Sequence, residues 1–259
     1  MSRPVRWSYV FADRPAAHFG RACDFWTAVT GTALSQPRGD EGEFVTLVPE
    51  GSDACVKAQA VTDGDGGAHL DLAVDDVPAF VAAALESGAG TAARHDGWAV
   101  LRSPAGQLFC VVPWQGESER PPVVDGARVD QICMDVPPSA YATEVAFWSA
   151  LLPDWPSRPG SRPEFHVVEQ PPGLPVRILL QRLETERAAG AHLDLACGPD
   201  VGAVRARHEE LGAVVVAGRP HWTVMRDPAG GLYCLTGRDA RTGGLPQPVA
   251  PPPEPATGR

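Results

Sequence analysis

His69-Leu70-Asp71 and its near copy His192-Leu193-Asp194 carry the residue types in this chain best suited to chemistry. In each, a histidine and an aspartate stand two apart inside a strand-like run, so both side chains project from one face of an extended chain. Such an imidazole can bind a metal or accept a proton, and the aspartate beside it raises its basicity and fixes its tautomer. The alternative is a pair of polar groups satisfied together in a cleft wall. Cys110 and Cys234 lie in the last apolar run of each copy and offer thiols of the kind that act as nucleophiles or zinc ligands. Nothing in the sequence marks a depressed thiol pKa, so buried, inert thiols are the expectation. No GxSxG elbow, P-loop, GxGxxG after a strand or HExxH helix occurs.

These pairs belong to a long internal repeat. Residues 68–74 return as 191–197 with six of seven identical, an offset of 123. Asp24-Phe25-Trp26 returns as Ala146-Phe147-Trp148 at 122, and residues 103–110 return as 227–234 at 124. Asp13 and Asp135, Gln59 and Gln181, and Arg6 and Arg128 match at 122, and Trp98 and Trp222 at 124. A period this long means duplicated domains rather than a solenoid. The expected domains are 4–114 and 124–238, each with its own core, joined through the polar, Pro-rich residues 115–122. The Pro- and Gly-rich tail 241–259 reads as disordered.

Within copy one, residues 7–12 read as a strand. Residues 16–30 carry Phe19, Ala22, Cys23, Trp26 and Val29 at helical spacing, ending at Gly31. Runs at 44–48 and 55–61 read as strands, and 69–74 opens the second half. Asp75 is the expected cap of a helix through Val77, Phe80, Val81 and Leu85 to Gly88, followed by strands near 91–94, 98–102 and 108–112. Each copy is thus two βαβββ units, an α+β fold. Phe25, Trp26, Phe147 and Trp148 are assigned to packing.

Charge narrows the partners. With 22 basic and 32 acidic residues the formal net charge is −10, interspersed along the chain, which argues against nucleic acid and for a small or neutral partner. No apolar run suits a signal peptide or a membrane span, so a cytoplasmic protein is expected. Cys23, Cys55, Cys110, Cys133, Cys197 and Cys234 form no CxxC pair and read as reduced, mostly buried thiols. Because two domains are already paired in one chain, a monomer is expected, with a homodimer the alternative.

The opening strand, the aspartate, the Phe-Trp helix, the second opening strand His-Leu-Asp-Leu and the closing turn, Ser103-Pro104-Ala105-Gly106 in copy one and Asp227-Pro228-Ala229-Gly230 in copy two, seen twice in one order, resemble the vicinal-oxygen-chelate superfamily of glyoxalase, bleomycin-resistance and extradiol-dioxygenase relatives. The resemblance implies two cupped sheets, each around a cleft whose metal would sit on the first and fourth strands of one unit and the first and last of the next. At those positions His69 and His192 keep a ligand-type side chain. Gln59 and Gln181 stand where a glutamate would, and Cys110 and Cys234 where a carboxylate would. The first strand offers Arg6 or Ser8 in copy one and Arg128 or Asp130 in copy two. Such a set suits neither a hard octahedral ion nor tetrahedral zinc, so no catalytic metal is favoured, although a divalent metal is left open, with Asp130 completing zinc in copy two.

The resemblance implies ligand-facing roles for Gln59, His69, Asp71, Trp98, Cys110, Gln181, His192, Asp194, Trp222 and Cys234, the tryptophans by stacking on a planar group, with core packing, the more frequent use of tryptophan, as their alternative. Two functions follow. The favoured one is a protein that binds a small organic molecule, such as an antibiotic or pathway intermediate, without chemistry. The alternative is a lyase, isomerase or dioxygenase that uses one cleft with a divalent metal or with a His-Asp base, His192 and Asp194 being the catalytic candidates. A shared fold hosts both.

Overall fold

The computed structural model describes residues 4–62 and 64–245. The first half runs β1 (Val5–Pro15), α1 (Phe19–Thr30), β2 (Ala33–Leu34), β3 (Phe44–Val48), β4 (Val56–Val61), β5 (Gly67–Val74), α2 (Val77–Glu86), β6 (Gly90–His95), β7 (Trp98–Arg102) and β8 (Leu108–Pro113). The second half repeats the order: β9 (Arg128–Val136), α3 (Tyr141–Leu151), β10 (Ser157–Pro159), β11 (Phe165–Val168), β12 (Arg177–Arg182), β13 (Gly190–Ala196), α4 (Val201–Glu210), β14 (Val214–Gly218), β15 (Trp222–Arg226) and β16 (Leu232–Thr236).

Each half forms one eight-stranded mixed sheet, in the orders β2-β3-β4-β1-β5-β8-β7-β6 and β10-β11-β12-β9-β13-β16-β15-β14. The opening strands β1 and β5 pair antiparallel at the centre, and each pairs in parallel with the last strand of its own unit, β4 or β8. Two βαβββ units per half, in an α+β fold, are therefore as the sequence periodicity implies.

Local chemistry explains the helix limits. Helix α1 buries Ala22, Cys23, Phe25, Trp26 and Val29 and stops at Gly31, whose φ of 62° is a left-handed conformation that glycine adopts without steric cost. Helix α2 is capped by Asp76, whose carboxylate accepts from the Ala79 amide at 2.9 Å. Asp75, the expected cap, lies instead 3.8 Å from Arg6.

The two halves share one continuous core rather than having one each. Phe25 and Trp26 pack on Tyr233 of the second half, with ring centroids 5.7 and 5.4 Å apart, while Phe147 and Trp148 pack on Phe109 of the first at 5.9 and 5.1 Å. Each tryptophan also donates to a buried carboxylate: Trp26 Nε1 to Asp227 at 3.1 Å and Trp148 Nε1 to Glu144 at 2.8 Å. Asp227 also accepts from Arg14 Nε at 2.6 Å, both side chains being fully buried. Gly231 has to be glycine here, because a Cβ would lie 2.0 Å from the Arg14 guanidinium. At the matching positions of the other half stand Val136 for Arg14 and Gln107 for Gly231, so both members of the contact change together.

Residues 241–245, expected to be disordered, are ordered. Asp239 accepts from the amides of Arg241 and Thr242, and its own amide donates to the Gly244 carbonyl at 2.8 Å. The rest of the expected tail, 246–259, lies outside the described residues.

Candidate functional site

Period-two geometry places the chemistry on the concave faces. On β13, His192 and Asp194 share one face. Directly across the antiparallel pairing, Cys133 of β9 stands opposite His192 and Gln131 opposite Asp194. Cys234 of β16 is Asp194's neighbour on the other side. His192 Nε2 lies 3.4 Å from Cys234 Sγ and 3.4 Å from Asp194 Oδ1, and its Nδ1 lies 3.6 Å from Asp135 Oδ2.

Asp194 is held from behind. Arg177 Nε donates to Gln131 Oε1 at 2.6 Å, and Gln131 Nε2 donates in turn to Asp194 Oδ2. Asp194 Oδ1, buried and aimed at the imidazole, has no hydrogen-bond partner. Burial raises the Asp194 pKa, opposed by the charges of His192 and Arg238 and by the Gln131 hydrogen bond. Burial also raises the Cys234 pKa, with Asp194 adding and His192 opposing. The cleft of about 110 Å³ is walled by Phe165, Val167, Leu179 and Trp222, with Gln181 also lining it.

The first cleft repeats the arrangement with two decisive changes. His69 Nδ1 binds Asp13 at 2.8 Å, and Nε2 lies 3.7 Å from Asp71 Oδ1, itself buried without a hydrogen-bond partner. Burial opposes the charged imidazole, but the Asp13 charge and hydrogen bond, with Asp71, outweigh it and raise the His69 pKa. Opposite His69 stands Phe11, stacked on the imidazole at 4.2 Å and 14°. Where the second half has Leu179, the first has Lys57, whose Nζ lies 3.7 Å from Asp71 Oδ2 and 3.6 Å above the Tyr9 ring centroid. This cleft encloses about 670 Å³ and is lined by Gln59, His69, Asp71, Trp98 and Cys110.

All ten ligand-facing residues expected from the sequence thus line one cleft or the other: Gln59, His69, Asp71, Trp98 and Cys110 the first, and Gln181, His192, Asp194, Trp222 and Cys234 the second. The first-strand candidates do not. Asp130, expected to lend His192 a carboxylate, is buried against Arg238, which donates to both its oxygens. Arg128 donates to the Arg241 carbonyl, Arg6 lies over Trp114, and Ser8 is buried. The first-strand residues on the histidines' side are Phe11 and Asp13, and Cys133 and Asp135; Phe11, Asp13 and Cys133 line a cleft, as Gln131 does, while Asp135 lies against the far nitrogen of His192. Asp13 and Asp135 recur at an offset of 122, and counting by twos from the residue opposite each histidine finds all four.

A divalent metal can be tested against these residues. His192, Asp194 and Cys234 present one nitrogen, one oxygen and one sulfur donor, all within 4.8 Å of one another, and His69, Asp71 and Cys110 form a similar group. In the second cleft the orphaned Asp194 Oδ1 and the soft thiol fit a transition metal of the zinc type. Asp135, on the far nitrogen of His192, is the outer carboxylate that such histidines usually have. In the first cleft the Lys57 ammonium already stands beside Asp71, and a second cation there would be repelled.

A family model for the glyoxalase-like domain matches residues 9–112 and again 131–236. A search of curated protein sequences gives no match. Among solved structures, a variant of homoprotocatechuate 2,3-dioxygenase from Brevibacterium fuscum superposes with a TM-score of 0.61 at 13% identity, covering 92% of this chain and 75% of that one. The 2,3-dioxygenase LapB from Pseudomonas sp. KL28 gives 0.59 at 13% identity over 88% and 90%, and a variant of 4-hydroxymandelate synthase from Streptomyces coelicolor gives 0.57 at 14% over 90% and 92%. At these identities the likeness is one of fold. With matches over both halves, the chain belongs to the glyoxalase-like domain family and carries that domain twice in tandem.

Proposed function

We propose that this protein is an enzyme acting on a small organic molecule in the second cleft, with a divalent transition metal held by His192, Asp194 and Cys234. The observation that carries the reading is the buried Asp194 Oδ1, without a hydrogen bond and 3.4 Å from His192 Nε2, with Cys234 Sγ at 3.4 Å from the same nitrogen. A buried acceptor left unpaired is costly, and a cation between the three donors would satisfy it. The structural neighbours support an enzyme, being named as dioxygenases and a synthase.

When bound, the metal supplies Lewis acidity to an oxygen of the ligand and lowers the pKa of its protons. The chain's own residues do the positioning. Asp135 orients the His192 ring from behind, and Gln131, braced by Arg177, fixes Asp194. Phe165, Val167, Leu179 and Trp222 form apolar walls that exclude water, and the Gln181 amide offers a neutral hydrogen-bonding group. Three protein ligands of N, O and S type would favour zinc and lyase or isomerase chemistry over the two-histidine, one-carboxylate set of iron oxygenases.

The second reading is a metal-free binding protein in which His192 and Asp194 contact the ligand directly. It draws on the raised Cys234 pKa, which holds the thiol protonated unless a cation displaces the proton. Metal content of protein purified without chelator separates the two. About one zinc per chain, lost in His192→Ala, is expected; metal-free protein that still binds its ligand would replace the enzyme with the binding protein. A cytoplasmic monomer remains part of the proposal. No helix among the described residues is long and apolar enough to cross a membrane.

A further inference from the structure

Lys57 is the only lysine in the sequence, against 21 arginines. Arginine stays charged, whereas a buried lysine amine can lose its proton and attack carbon. This one amine lies in the wall of the first cleft, the larger of the two. Its contacts are weak ones: an ion-pair distance of 3.7 Å to Asp71 and the faces of Tyr9 and Phe11 at 3.6 and 5.3 Å. No hydrogen bond to protein holds its N–H groups among the described residues. Asp71, itself nine-tenths buried, keeps Oδ1 unpaired in the same cavity, with His69 Nε2 at 3.7 Å.

The lining also indicates what would enter. Phe11, Phe44 and Trp98 give apolar walls. Arg38 and Arg102 line the cavity too, and among the described residues their guanidinium groups bind neutral oxygens: Ser35 and Thr46 for Arg38, and the Gly106 carbonyl for Arg102. Both can take a carboxylate.

We infer that the first cleft is a second, metal-independent site in which Lys57 forms an imine with a small oxo acid. The Nζ lone pair attacks the carbonyl carbon as the C=O π pair moves to oxygen, and one Nζ proton passes by way of Asp71 to that oxygen to give the carbinolamine. The second Nζ proton, again carried by Asp71, goes to the hydroxyl, the C–O bond breaks as water leaves, and the nitrogen lone pair closes the C=N bond. One amine and one carbonyl give one imine and one water, and no further reagent is required. Burial lowers the Lys57 pKa and Arg38 assists, while Asp71, Glu117 and Cys110 oppose, so the ammonium that pairs with Asp71 gives up its proton more readily than an exposed lysine does. The assignment lies outside the second cleft and stands whether or not that cleft binds metal.

The full chain should be incubated at neutral pH with glyoxylate and cyanoborohydride, with N-acetyl-lysine amide in the same tube as internal reference, and mapped by peptide mass spectrometry. Lys57 should be converted to the reduced adduct several-fold faster than the reference. Benzaldehyde, which lacks the carboxylate, should label Lys57 more slowly. Asp71→Asn should slow the adduct several-fold, although removing a negative charge alone would free more amine and speed it. Lys57 unlabelled, or labelled no faster than the reference, would overturn the imine site. Equal rates with benzaldehyde would overturn the oxo-acid assignment, and faster labelling of Asp71→Asn would overturn the proton-transfer role.

Discussion

Lys57 and Leu179 occupy one register position in the two sheets: Lys57 pairs with Phe11 on β1, and Leu179 pairs with Cys133 on β9. In one half the pair covers the histidine with a ring and puts an ammonium beside the aspartate; in the other it leaves a thiol and an apolar wall. The duplicated domains thereby keep one His-Asp-Cys arrangement in two different electrostatic settings.

The buried ion pair of Arg14 and Asp227 ties the halves together, and Asp227 also accepts from the amides of Ala229 and Gly231 at 2.9 and 3.0 Å. Asp227→Ala leaves the guanidinium buried without its counter-charge and is expected to cost about 3–5 kcal/mol. Urea unfolding should show a lower midpoint with both halves still unfolding in one transition, as a shared core requires. Two resolved transitions in the wild-type protein would contradict the shared core.

His208 is buried, with Nδ1 2.9 Å from the Tyr233 hydroxyl. Burial, aided by Arg207, lowers its pKa to about 4. The folded protein keeps it neutral while the unfolded chain takes up a proton near pH 6.5, so stability is full above that pH and falls as pH drops from about 6.5 to about 4. The loss by pH 5 should be on the order of 2 kcal/mol. Denaturant midpoints between pH 7 and 5 should fall less in His208→Gln than in the wild type, and identical slopes would show that His208 is not responsible.

All six cysteines are free and buried. Burial pushes the Cys55 and Cys197 thiols up to about 12 and raises Cys23, Cys110, Cys133 and Cys234 as well. The native, metal-free chain should therefore react slowly with a disulfide reagent at pH 7.5 and release all six thiols only on unfolding. A single thiol reacting at the rate of free cysteine would show an activated nucleophile that the geometry does not explain.

The fold was legible because duplication doubled every signal. His69 and His192, the Phe-Trp helices and the Pro-Ala-Gly turn recur in register, and strand periodicity put His and Asp on one face. The site was legible only where a residue type announces itself. Cys133 and Asp135 were missed because β9 carries an irregularity between Val129 and Gln131 in its pairing with β13, so parity counted from the start of the strand points to Asp130 instead. Lys57 was passed over because its repeat partner is a leucine. The shared core was hidden because helix spacing tells which face is buried but not against which half it packs.

The central claim is that the second cleft, and not the first, holds a transition metal on His192, Asp194 and Cys234. Cobalt titration tests it most directly, since a Cys–cobalt bond gives a near-ultraviolet charge-transfer band whatever the substrate. Wild-type protein should take up about one cobalt per chain with that band. Cys110→Ser should keep band and stoichiometry, whereas Cys234→Ser should abolish the band and His192→Ala the binding. No uptake by the wild type, or a band lost in Cys110→Ser and retained in Cys234→Ser, would contradict the account.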